Sequence, residues 1–138
     1  RGCAAQTRGP VNASRGAVRA AVPWHLSLTT NHRDLDDAEF LDALKASGVD
    51  EAVAMVYTTR EATARATIER LLAKTARGPR IALAQSVESA LPANESSFLK
   101  GRSASLTIWR NLVTALSPNQ RFSGLIVQSL ADYEKARP

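Results

Sequence analysis

Short apolar runs alternate along this chain with stretches of helical periodicity, and that alternation constrains its fold more than any other feature. The runs are "AVRAAVPWHLSLTT" (17–30), "DEAVAMVY" (50–57), "IALAQSV" (81–87) and "FSGLIVQS" (122–129). Each has the length and apolar content of a strand. Pro23 marks an edge or an interruption in the first. Between them, residues 36–47 open on "DDAE", a capping box from Asp36 to Glu39, place Phe40, Leu41 and Leu44 on one face, and stop at Gly48. Residues 60–76 read as a second helix capped by Thr59. Its apolar stripe is Ala64, Ile68, Leu71, Leu72 and Thr75, and Glu61 and Arg65 pair one turn apart on its wet side. A third helix runs through Leu106, Trp109, Leu112, Val113 and Leu116 and ends at Ser117-Pro118. "LADYEKARP" reads as a short terminal helix. The order β–α–β–α–β–α–β predicts an α/β fold with four parallel strands joined by right-handed helical crossovers.

The 138 residues suffice for one domain with a core of its own. The net charge of +5 is unevenly placed. Arg1, Arg8, Arg15 and Arg19 lie in the acid-free first twenty residues, which leaves 14 of the 18 basic residues against 13 acidic ones. Residues 1–16 read as a flexible basic leader and 17–138 as a single α/β domain. A near-neutral body, with no aromatic among the leader arginines, argues against nucleic-acid binding. No apolar run approaches the roughly 20 residues that span a bilayer, so no membrane partner is expected. Cys3 is the only cysteine, and His25 and His32 lack paired carboxylates, so neither a disulfide nor a metal site is expected. No Gly-rich phosphate loop follows a strand and no nucleophile elbow is present, so no cofactor is expected. Asn12-Ala13-Ser14 and Asn94-Glu95-Ser96 fit a glycosylation pattern that matters only in a secretory setting.

Strands two, three and four all begin aliphatic and turn polar, as "MVYTTR", "AQSVES" and "VQSLADY". Ligands of parallel α/β folds collect where strands run into the loops that follow. Side chains alternate, so Met55 and Tyr57 share one face, as do Ser86 and Glu88. Tyr57, Glu88 and Gln128 are therefore expected at one mouth. Glu88 is its carboxylate, Tyr57 a hydroxyl donor beside it, and Gln128 and Ser86 are substrate-binding groups. Trp24 reads either as a stacking platform for a sugar or an aromatic group or, more simply, as a packed Trp beside the surface His25. The competing reading takes Glu88 as an ordinary loop acid and the chain as a small flavodoxin-like parallel sheet for interaction or assembly.

Taken together, "VDEAVAMVYTTR", "RIALAQSVES", "NESSFLKGRSASLTIWRNLVTAL" and "RFSGLIVQSLADYEK" resemble the C-terminal half of a glycoside-hydrolase-like (β/α)8 barrel, or TIM barrel, over about residues 17 to 135. Asp50, Glu51, Met55 and Tyr57 match that family's strand six, Glu88-Ser89 the end of strand seven, Ser97-Phe98 the loop after it, and Gly124 to Gln128 strand eight. Gln128 stands where these families have His, Ser129 and Leu130 where they have aromatics, and Val56 where they often have an acid. The resemblance implies half a barrel whose intact parent binds or hydrolyses a carbohydrate, with Glu88 and Tyr57 as catalytic groups. It also implies that a second carboxylate lies in an N-terminal half outside this chain. Open sheet edges are an aggregation hazard. The half barrel is therefore expected to pair with a second copy, to pair with the missing half, or to cover its edges with the leader.

Overall fold

A computed structural model describes residues 25–138. Its eight principal elements are β1 (Ser27–Asn31), α1 (Ala38–Ala46), β2 (Glu51–Met55), α2 (Glu61–Lys74), β3 (Arg80–Ser86), α3 (Arg102–Leu116), β4 (Phe122–Gln128) and α4 (Leu130–Lys135). All four strands are parallel, in the order β1-β2-β3-β4. The α/β class and its alternation are those expected. The order runs in one direction, without the reversal that marks the switch point of a doubly wound sheet.

Unidirectional winding has a consequence for layering. When each parallel strand is added on the same side of its predecessor through crossovers of one hand, every connecting helix falls on one face of the sheet. The core follows that rule. Ala52, Ala54, Val56, Ile81 and Leu83 from one face of β2 and β3, or just past them, pack with Leu41 and Leu44 of α1, Ile68 and Leu71 of α2, and Leu112 and Leu116 of α3. The alternate residues Val53, Ala82 and Ala84 form a separate cluster on the other face, with Met55 and Tyr57 against it. A bulge between Ile81 and Ala82 lets β4 step from Phe122 to Gly124, so Ser123 has no counterpart on β3. Beyond it, Gly124, Ile126 and Gln128 align with Ala82, Ala84 and Ser86 on that second face.

Helix ends differ from expectation where distant partners claim a side chain. The cap of α1 is Asp37, one residue later than expected; its carboxylate accepts from the amides of Glu39 (2.8 Å) and Phe40 (3.2 Å). Asp36 instead belongs to a 3-10 turn, Asp34–Asp36, and binds Lys74 (2.6 Å) and Arg70 of α2. Gly48 stops the helix as expected, with φ 66° and its amide on the Lys45 carbonyl. Thr59 does not cap α2. Its amide donates to the Asn94 carbonyl at 3.0 Å, while the Arg60 amide donates to Thr58 Oγ1 at 3.2 Å. The wet-side pair is Arg65–Glu69 at 2.8 Å; Glu61 reaches across to accept from Asn111 of α3. The expected stripe, by contrast, is buried at every position from Ala64 to Thr75.

The Lys74 ammonium, with Arg70 adding to it, holds Asp36 below the ordinary carboxylate range against an opposing effect of burial. A depressed carboxylate stabilises the fold above its ordinary titration range and loses that contribution as pH falls through the depressed value. Asp36→Asn should therefore lower stability near neutrality by at most about 1 kcal/mol, the scale of exposed ion pairs. Urea denaturation should show the gap from wild type closing as the medium is acidified.

Candidate functional site at the C-terminal ends of the strands

Tyr57 follows β2 on the face opposite the helices, and Gln128 ends β4 on the same face. They lie on strands separated by β3, two steps of about 4.8 Å in the sheet, yet the Tyr57 hydroxyl donates to Gln128 Oε1. The contact is possible because the intervening strand presents only Ala82, Ala84 and Ser86 to that face. Larger side chains from both flanks lean over these small ones. The same overhang accounts for why Val53, Ala82 and Ala84 are at most 3% exposed on a face that no α1–α3 cluster covers.

Glu88 is held from its own strand end. Ser86 Oγ donates to Glu88 Oε2 at 3.0 Å and accepts from the Glu88 amide at 3.1 Å. Burial first, and the negative charge of Glu88 second, push the Tyr57 phenol above its ordinary value. Tyr57 thus stays a proton donor throughout the neutral range, with Glu88 close enough to be felt. Gln128 gives its carbonyl to Tyr57, so its amide N–H donors face outward, and the side chain is exposed. Glu88→Gln should bring the phenol's titration down toward that of an ordinary tyrosine, read by ultraviolet difference absorbance. Because the folded-state value is raised, Tyr57 stabilises the fold below the ordinary phenol range, and that contribution is lost as pH rises through the raised value.

A loop, residues 87–101, follows β3 and is strapped by serines. The amide and hydroxyl of Ser97 both donate to the Ser86 carbonyl, at 3.0 and 3.2 Å. Ser105 of α3 donates to the Ser97 and Gly101 carbonyls. Ser89 Oγ donates to Asp132 Oδ1 at 3.2 Å, tying the Glu88 loop to the first turn of α4.

His32, just past β1, went unsingled by sequence reasoning, which saw a loop histidine without carboxylates. Its Nδ1 lies 2.9 Å from the Met55 carbonyl. A carbonyl only accepts, so Nδ1 carries the proton and Nε2 is left as an acceptor in the neutral ring. The only signal in sequence was its position at a strand end. Trp24 lies outside the described residues. Among the described residues no group of three His, Cys, Asp or Glu side chains could hold a metal ion, and no helix is long and apolar enough to cross a membrane.

Compared with protein-family models, with curated proteins and with solved structures, the chain matches none of them.

Proposed function

We propose that the chain is the C-terminal half of a glycoside-hydrolase-like (β/α)8 barrel and that its mouth binds a carbohydrate. The observation that carries this reading is the Tyr57–Gln128 hydrogen bond across β3, beside the Ser86-held carboxylate of Glu88. A sugar presents hydroxyls that both donate and accept. Outward amide donors on Gln128 and acceptor oxygens on Glu88 suit such a ligand, and binding it requires neither metal nor cofactor. The one-way strand order and the helices on one face also support the barrel reading.

Hydrolysis is assigned to the intact parent. It requires two carboxyl groups about 5 to 9.5 Å apart. Among the described residues Asp132 is tied to the Glu88 loop through Ser89, and its carboxylate is engaged by that serine. Binding should be tested by isothermal titration and affinity electrophoresis against neutral and acidic polysaccharides. Glu88→Gln and Gln128→Ala should each weaken the bound member about 10- to 100-fold, the scale of a hydrogen bond to a charged or well-placed group. A panel in which nothing binds, or binding that both variants leave untouched, would sink the carbohydrate reading.

A further inference from the structure

The two ends of the sheet are not alike, and they differ in complementary ways. All three buried side-chain polar atoms that lack a hydrogen-bond partner among the described residues lie toward the β4 end: Trp109 Nε1, Arg121 Nε and Ser123 Oγ. Beside them a groove of about 410 Å³ runs between α3 and β4, lined by Leu106, Trp109, Arg110, Val113 and Leu125. At the opposite end, β1 leaves Leu26 and Leu28 more than a third exposed. Leu28 pairs with Ala52 and Leu125 with Leu83, both residues of the helical core cluster, so the two leucines belong to the same layer.

Charge separates the ends as well. Residues 34–45, the turn and helix after β1, hold five acids; Asp36 is engaged by Arg70 and Lys74 and Asp42 by Lys45, which leaves Asp34, Asp37 and Glu39 without a basic partner in an ion pair among the described residues. Residues 99–121, through α3 to the start of β4, hold Lys100, Arg102, Arg110 and Arg121 with no acid. An acidic end with protruding leucines and a basic end with an apolar groove fit each other. They cannot meet within one four-stranded sheet, but they can meet between two.

We infer that the chain pairs with a second copy of itself about a two-fold axis, β1 of each copy lying parallel to β4 of the other, so that eight strands close into a barrel. Closure removes both open edges and seats Leu28 of each copy against the groove of its partner. Each pairing sets the acidic turn and helix beside the basic one, which fixes the register of association. The two-fold also brings a second Tyr57–Gln128–Glu88 set to the same end of the barrel. The inference rests on the barrel-half reading proposed above, and the second copy completes that mouth.

Sedimentation equilibrium of the 138-residue chain, from micromolar to submillimolar concentration, tests this. The expected species has twice the 14.8 kDa chain mass. Leu28→Lys and Arg110→Glu should each weaken the dimer at least tenfold with unchanged far-ultraviolet circular dichroism. The methyl resonances of Leu28 should shift as the protein is diluted, because dissociation returns to solvent a side chain more than a third exposed in the single chain. A monomer at every concentration, or a dimer indifferent to both variants, would overturn the inference. The mass is read without any sugar, so the two proposals fail separately. A dimer that binds no polysaccharide leaves the interface standing and removes the carbohydrate reading. Sugar binding by a strict monomer does the reverse.

Discussion

Leu83→Ala should lower the unfolding free energy by about 3–4 kcal/mol, because truncating a sealed core leucine loses its transfer free energy and leaves a cavity. Leu83 is fully buried on β3, with strands on both sides and the helical layer over it. The surroundings cannot collapse onto the missing atoms, since a central strand is hydrogen-bonded along both edges. Domains of this size have roughly 5–15 kcal/mol to lose. The urea midpoint should therefore drop steeply with an unchanged slope. A loss below about 1.5 kcal/mol would mean that the site relaxes and that the helical layer is more loosely packed than described.

Gly101→Ala should destabilise by about 2–3 kcal/mol, the upper part of the cost of forcing an alanine into a conformation open essentially to glycine alone. Gly101 begins α3 with φ 86° and ψ 168°. A Cβ there would also lie 3.1 Å from the Arg137 carbonyl and 3.2 Å from that of Pro138. The same substitution at an unstrained position stabilises slightly, by restricting the unfolded chain, so the sign of the effect is decisive. The Arg102 amide donates to the Arg137 carbonyl at 2.7 Å, and Arg137 in turn reaches the Leu99 carbonyl. Amide exchange at Arg102 should accelerate in the variant as the C-terminal segment is pushed away. Unchanged exchange would show that the segment accommodates a methyl group.

Element order, helix stripes and the stop at Gly48 were legible because each follows from periodicity or from one residue's backbone freedom. Helix starts were less so. The acids at 36 and 37 are equivalent as caps on paper, and only the approach of Arg70 and Lys74, more than thirty residues away, decides that Asp36 pairs while Asp37 caps. Thr59 failed as a cap for the same kind of reason, since its hydroxyl is turned to the loop at the Ala93 carbonyl and the cap position falls to Arg60. In the site, two-residue alternation was enough to put Tyr57 and Gln128 on one face. It says nothing of reach, which depends on the small residues of β3 between them. The serine strap from Ser86 through Ser97 to Ser105 was invisible, because three serines spread over twenty residues carry no pattern until the chain folds back.

The run of Ala82, Ala84 and Ser86 acts as a depth gauge for the mouth. Those three side chains form its floor, and the walls from β2 and β4 can touch only while the floor stays low. Raising it by one side chain at the position level with Gln128, as in Ser86→Leu, would wedge Tyr57 and Gln128 apart. How closely the two walls approach is thereby written in the bulk of the residues that lie between them.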